Sequence, residues 1–141
     1  MTLRELFYKF AKDQRLPCME LQLEPSAPNQ LCIYLNGANG RYEGHGLFLE
    51  EENLFVFYVP LSVMVPKEKR ESFSAYLMDL NYGLKTANFY IEESTGALTA
   101  RICQYMAGAD WEKQELMERL ITDCGRTADY YYPEIMKRLF G

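Results

Sequence analysis

The segment "LFVFYVPLSVMV", residues 54–65, decides the fold of this chain, because it is the longest apolar stretch in the sequence. Aromatic and β-branched residues favour a strand, and strand side chains alternate between the two faces of a sheet. One face receives Phe55, Phe57 and Val59. The other face receives Leu54, Val56 and Tyr58. A proline inside a strand indicates a bulge, an edge position or the end of the strand, and Pro60 predicts one of these.

Three further strands are predicted before this segment. Residues 19–24, "MELQLE", alternate between apolar and polar side chains, as a half-buried strand does. "LCIYL" and "YEGHGLFL" flank "NGANG", whose asparagines and glycines favour the positive φ angles of a hairpin turn. Gly44 and Gly46 lie inside the second of these strands, where they predict a bulge or a close backbone approach.

Helical periodicity predicts helices before and after these strands. Residues 3–14 carry apolar side chains at helical spacing, and Thr2 with Glu5 forms a predicted capping box. A second helix is expected from Pro66 to Asn81 or Gly83. A third is expected from Asp110, as its N-cap, to Gly125.

Two glycines, Gly83 and Gly96, raise the question of a phosphate-binding loop. Such a loop follows a strand and opens a helix. Gly83 instead follows a helix, and Gly96 lies between two alternating segments at residues 87–91 and 98–102. We therefore interpret them as a helix end and a hairpin turn. Residues 126–141 then form a C-terminal tail segment of a single domain spanning residues 1–141.

The composition argues against several classes of function. The net charge of −5 disfavours nucleic-acid binding, which needs a basic surface. The sequence has no apolar run of the length that a membrane span needs, and its first residues do not resemble a signal peptide. We therefore expect a cytoplasmic protein that binds no membrane. Its cysteines are then predicted to be reduced, buried thiols without a disulfide or zinc site.

Catalytic candidates are few. His45 is the only histidine in the sequence, and Cys32 or Ser62 are the nucleophiles that could accompany it. The nucleophile elbow G-x-S-x-G is not present. We expect no enzyme, no cofactor and no metal. A small-molecule or enzymatic pocket near His45 remains the alternative. The glutamates at 50–52 are expected to be solvated, and Trp111 is expected to anchor packing.

Partner-binding candidates lie in two places. Tyr130, Tyr131 and Tyr132 cannot all face one core, and exposed tyrosines are enriched in interfaces. The alternative is that they pack the tail against the sheet. The apolar strand offers the second set, Phe55, Phe57 and Val59. If every helix covers the same face of the sheet, the other face needs cover from a dimer partner or a protein client. The alternative is that a helix or the tail covers that face.

Residues 77–106 and 116–135 resemble the YbjN-like family of bacterial proteins, which are proposed to be sensory transduction regulators. The matching features are the helix end Leu80–Asn81, the strand with Phe89, the acidic turn from Glu92 to Gly96, and the final Asp129, Tyr130 and Pro133. The family in turn is similar in fold to class I chaperones of type III secretion, which are small acidic dimers that bind unfolded segments of clients.

This resemblance implies an α+β fold with the order α-β-β-β-α-β-β-α and an antiparallel sheet whose helices pack mainly on one face. It implies no catalytic residues. Together with the residue patterns, it predicts a non-enzymatic interaction module, chaperone-like or regulatory. The module is expected to form a homodimer and to bind a polypeptide through an apolar sheet face or edge.

Overall fold

A computed structural model describes residues 1–20 and 29–141 of the chain. The described residues form helices α1 (Leu3–Asp13), α2 (Arg70–Gly83) and α3 (Asp110–Phe140). They also form strands β1 (Cys18–Glu20), β2 (Gln30–Asn36), β3 (Arg41–Leu49), β4 (Leu54–Met64), β5 (Asn88–Ile91) and β6 (Ala97–Tyr105). Short 3₁₀ turns precede β4 and α2. The predicted strand over residues 19–24 thus begins at β1, and its residues 21–24 lie outside the described residues.

The strands of the described residues form one antiparallel sheet in the order β1-β2-β3-β4-β6-β5. The predicted α+β class is confirmed. The order contains one strand more than α-β-β-β-α-β-β-α, and this strand, β1, is the one that the alternation at residues 19–24 predicts. The β2–β3 hairpin closes at the predicted "NGANG" turn, where Asn36 pairs with Arg41. This register places Cys32 opposite His45, and His45 in turn lies opposite Tyr58 of β4.

The helices pack on one face of the sheet, which we call the inner face. Phe7 of α1 contacts the rings of Phe48, Phe55 and Phe57, with ring centroids 5.2–6.1 Å apart. The Cys124 thiol of α3 lies 4.0 Å from the Phe57 carbonyl oxygen. The predicted one-sided packing is therefore confirmed.

Gly44 explains how large rings fit on the inner face. A Cβ atom at Gly44 would lie 2.3 Å from the ring of Phe57. A Cβ atom at Gly46 would lie 2.8 Å from the ring of Phe7. The predicted close approach is the correct alternative, because glycine leaves the space that these rings fill.

The capping box of α1 is confirmed. The Glu5 N–H donates to Thr2 Oγ1 at 3.1 Å, and the Thr2 N–H donates to Glu5 Oε1 at 3.0 Å. Glu50 adds a cap from outside the helix, since its carboxylate accepts from the N–H groups of Leu3 and Arg4 at 2.8 and 3.1 Å. This corrects the expectation that residue 50 is only solvated. An anion at a helix N-terminus also interacts favourably with the helix dipole.

Pro60 marks a bulge in β4, one of its predicted alternatives. The register with β6 shifts between Pro60 and Met64, and Ser62 adopts a positive φ of 57°. After Pro66 a short 3₁₀ turn precedes α2, which ends at Gly83 as predicted. Gly96 has a φ of 81° in the β5–β6 turn, which confirms its interpretation as a hairpin glycine.

Helix α3 corrects three predictions. It is one helix of 31 residues, so it passes through Gly125 and includes the predicted tail at residues 126–141. Ala109 is its N-cap, and Asp110 is its first residue. A helical glycine costs about 1 kcal/mol relative to alanine, but tertiary packing overrides such preferences. At Gly125 an added Cβ would lie only 3.1 Å from Leu35, so the small residue lets α3 pack closely on β2.

Candidate interaction surface

Phe55, Phe57 and Val59 lie on the inner face, and each is 0% exposed. This corrects their assignment as accessible partner-binding residues. The alternation along β4 was predicted correctly, but the helices cover the face that carries these side chains. A partner therefore cannot reach them in this structure.

The opposite face of the sheet, which we call the outer face, carries the alternate residues. One cross-strand row on this face runs through Cys32, His45, Tyr58, Arg101 and Asn88. The neighbouring row contains Leu47, Val56 and Cys103. Tyr58, Leu47 and Leu54 are half-buried, whereas Arg101 and Cys103 are exposed. The outer face thus combines a partly exposed apolar centre with polar groups towards β5.

His45 is held firmly on the outer face. Its ring stacks on Tyr58 with centroids 4.9 Å apart and an interplanar angle of 10°. Its Nε2 lies 3.6 Å from Glu43 Oε2. Burial lowers the pKa of His45 below its ordinary value, and the Glu43 carboxylate offsets part of this effect. The imidazole is consequently neutral near pH 7.

Cys32 lies beside His45, because β2 pairs the two residues. Together with Glu43 they form one cluster of side chains. Burial raises the pKa of the Cys32 thiol to about 11, and the charge of Glu43 acts in the same direction. A reactive cysteine needs a lowered pKa, so this thiol is not activated as a nucleophile. Cys32 and Cys124 are buried as predicted, whereas Cys103 is exposed, which corrects its predicted burial.

Two depressions lie near the candidate residues. One, of about 320 Å³, adjoins the cluster and is lined by Tyr34, Arg41, Tyr42, Glu43, Pro60 and Ser62. Another, of about 600 Å³, lies between the N-terminal ends of α1 and α3 and includes Trp111. Trp111 is 69% exposed, so it does not anchor packing as predicted.

Asn81, which lies in the last turn of α2, protects the edge strand β5. Asn81 Nδ2 donates to the Phe89 carbonyl at 2.8 Å, and the Phe89 N–H donates to Asn81 Oδ1 at 2.8 Å. One side chain thus satisfies both backbone groups of Phe89. Unpaired edge groups are templates for strand addition, and proteins often cover them. A partner strand would have to displace Asn81 to pair here.

The tyrosines at 130–132 lie on the second half of α3 and face different surroundings. Tyr130 is 74% exposed. Tyr131 is half-buried and makes edge contacts with Phe89 and Tyr130. Tyr132 is half-buried and makes an edge contact with Tyr42 at 6.2 Å. Tyr130 therefore has the most accessible ring of the three.

Asp129 fastens α3 to the β2–β3 turn. Its carboxylate accepts from the N–H groups of Ala38 and Asn39, both at 2.9 Å, and from the Tyr42 hydroxyl at 2.8 Å. Burial raises the pKa of Asp129, but these hydrogen bonds outweigh burial and hold the pKa below its ordinary value. A Cβ atom at Gly37 would lie 2.4 Å from this carboxyl group, so the turn requires glycine there.

Pro133 completes this contact. Proline has no N–H, so the carbonyl four residues earlier, that of Asp129, loses its helical partner. Asn39 Nδ2 donates to this carbonyl at 2.9 Å. The contact explains why an aspartate and a proline four residues apart occur within one helix. Sequence reasoning noted both residues and missed their role, although the spacing and the "NGANG" turn carried the signal.

Three solved structures are similar to this chain in fold. YbjN, a proposed transcription regulator from E. coli, matches with a TM-score of 0.63 at 9% identity, over 93% of this chain and 92% of YbjN. A chain of the ExsC–ExsE complex matches with a TM-score of 0.58 at 17% identity, over 94% of this chain and 96% of the other. A chain of the HopA1–SchA chaperone–effector complex matches with a TM-score of 0.52 at 11% identity, over 94% of this chain and 98% of the other.

The predicted similarity in fold to YbjN and to chaperones is confirmed, and it covers nearly the whole chain, beyond residues 77–106 and 116–135 that carried the sequence resemblance. No family model matches the sequence, and no curated protein does so. Among the described residues, no helix is both long and apolar enough to cross a bilayer.

Proposed function

We propose that this chain is a non-enzymatic protein-interaction module, chaperone-like or regulatory, that binds a polypeptide through the outer face of its sheet. The observation that carries the proposal is the fold shared with proteins crystallised in the ExsC–ExsE and HopA1–SchA complexes, the second of which is a chaperone–effector complex. Fold alone does not establish function, so the choice of surface rests on this chain's own residues.

The outer face is the better of the two sheet surfaces for a polypeptide. Tyr58 and Leu47 offer partly exposed apolar area at its centre, and Arg101 offers hydrogen-bond donors beside it. Interfaces commonly combine an apolar, aromatic centre with a polar rim. The β5 edge is less suitable, because Asn81 already occupies the backbone groups of Phe89.

The tyrosines at 130–132 form a second proposed contact surface. Tyr130 offers an exposed ring on a rigid helix, and tyrosine is enriched in binding hot spots. Tyr131 and Tyr132 hold α3 against the sheet through Phe89 and Tyr42, so they support this ring. We expect Tyr130 to extend the partner contact.

A catalytic pocket at His45 is less well supported. The thiol of Cys32 has a raised pKa, and the ring of His45 is packed flat on Tyr58. His45 is not among the residues that line the neighbouring depression. An enzymatic role for His45 would require that His45→Ala abolish an activity while the fold stays intact.

The test is affinity purification of tagged protein from its natural host, with partners identified by quantitative mass spectrometry. Tyr58→Lys places a charge on the outer face, and Tyr82→Lys is the matched control, because Tyr82 lies on α2 and is 95% exposed. We expect one polypeptide to be enriched by the wild type and by Tyr82→Lys, and to be lost with Tyr58→Lys. Equal enrichment by all three proteins would contradict the choice of surface.

A homodimer is also part of the proposal. Light scattering on the purified wild type should then give twice the 16.5 kDa mass of the chain. A monomer at all concentrations would remove the dimer from the proposal while leaving the partner-binding test unaffected.

A further inference from the structure

Cys32, Glu43 and His45 form a cluster of metal-ligating groups on the outer face. One ligand atom of each residue lies within 4.8 Å of the ligand atoms of the other two. The cluster follows from the β2–β3 register, which pairs Cys32 with His45 and sets Glu43 two residues along β3 on the same face. Residues far apart in the sequence thus meet through strand pairing.

The donor set suits zinc. Thiolate, imidazole and carboxylate are the three protein ligand types of Zn²⁺, at about 2.0–2.3 Å from the ion. Those bond lengths at tetrahedral angles place ligand atoms about 3.5 Å apart. The separation of His45 Nε2 and Glu43 Oε2, 3.6 Å, already matches this value. The Cys32–Glu43 separation can contract by rotation of the exposed Glu43 side chain, whereas the Cys32–His45 separation contracts through a small rotation of one of those two side chains.

The surroundings also suit an ion. His45 is 8% exposed, so the protein shields its Nε2, the nitrogen that lies next to Glu43, from most of the solvent. Its ring is oriented by stacking on Tyr58. The side chain of Glu43 is 54% exposed, so the cluster is open to solvent on one side. An ion could enter from that side and keep a water molecule there.

We propose that Cys32, Glu43 and His45 bind one Zn²⁺ ion, with solvent as the fourth ligand. Three protein ligands and one solvent position are the pattern of open zinc sites, whereas closed structural sites have four protein ligands. Binding deprotonates the thiol and releases its proton to solvent. The site lies next to Tyr58, so an ion would also alter the polarity of the outer face.

Cobalt titration of the full, metal-free chain tests this site, because Co²⁺ substitutes for Zn²⁺ and a bound thiolate gives a strong near-ultraviolet charge-transfer band. We expect one Co²⁺ per chain with this band, and its displacement by one equivalent of Zn²⁺. Cys32→Ser should abolish the band. Cys103→Ser is the matched control, because Cys103 is an exposed thiol on the same face, and it should keep the band.

Glu43→Gln tests the site in a variant that we expect to fold, since Glu43 is exposed and its replacement is nearly isosteric. We expect its Co²⁺ affinity to fall about 10-fold or more, because even the loss of an outer-shell partner weakens metal binding by that factor. Three results would overturn the site: a wild type without a thiolate band at millimolar Co²⁺, a band unchanged in Cys32→Ser, or unchanged affinity in Glu43→Gln.

Discussion

The two faces of the sheet are built from the same strands and differ in what their side chains do. On the inner face, aromatic rings fill spaces left by glycine, and Phe57 packs over Gly44. On the outer face, Tyr58 stacks on His45. Glu43 lies next to His45, and Arg101 lies opposite Tyr58 on β6. The inner face therefore stabilises the fold, whereas the outer face carries the half-buried Tyr58 and Leu47 that we propose contact a partner.

The largest expected difference between the faces is in stability. Phe57→Ala removes a fully buried ring and leaves a cavity, so we expect it to lower the free energy of unfolding by about 3–5 kcal/mol. Leu47→Ala on the outer face removes a half-buried side chain and should cost about 1 kcal/mol. Urea unfolding followed by circular dichroism measures both. Equal losses would mean that the two faces contribute alike to the core.

The contact between α3 and the β2–β3 turn is expected to be the next most important. Asp129→Ala removes the acceptor of three hydrogen bonds and should lower the free energy of unfolding by about 2–3 kcal/mol. Glu118→Gln, at an exposed position of the same helix, is the control and should have little effect. A loss no larger than that of the control would contradict the role of Asp129.

The same carboxylate predicts a pH dependence. Its pKa in the folded chain is below the ordinary value of 3.8, so its stabilisation is fully present above that value. As the pH falls towards the lowered folded pKa, the stabilisation is lost. The difference in stability between wild type and Asp129→Ala should therefore shrink below about pH 4. A difference that stays constant as the pH falls would show that the charge of Asp129 contributes nothing.

A smaller effect is expected at the edge of the sheet. Asn81→Ala removes both hydrogen bonds to the Phe89 backbone and should cost about 1–2 kcal/mol. It also exposes the β5 edge, so we expect increased self-association in sedimentation velocity. Asn88→Ala is the control, since the Asn88 side chain is exposed and donates only to its neighbour Ala87 among the described residues. Identical sedimentation of the two variants would mean that Asn81 does not protect the edge.

The sequence was sufficient for the strand alternation but not for choosing the covered face. Alternation along β4 separates Phe57 from Tyr58 without stating which side the helices take. Gly46 carried a usable signal, because a glycine opposite a large residue such as Phe57 indicates the closely packed side. Helix packing joins residues far apart in the chain, and local patterns do not contain that information.

The absence of packing information in local patterns also explains the wrong prediction of a helix end. Gly125 is a local signal for a helix end, yet close packing on Leu35 continues α3 through it. Conversely, the pairing of Cys32 with His45 could have been predicted from the sequence, since residues equally distant from a hairpin turn pair with each other. The turn at "NGANG" was identified, but the pairs that it implies were not followed along the strands.

Photo-crosslinking tests the central claim, that the outer face binds a polypeptide, most directly. Benzoylphenylalanine would replace Tyr58 on the outer face and, as a control, Tyr82 on α2. The account predicts an adduct with one defined polypeptide from position 58 and none from position 82. Adducts that are absent from position 58, or equal at both positions, would contradict the claim and direct attention to Tyr130.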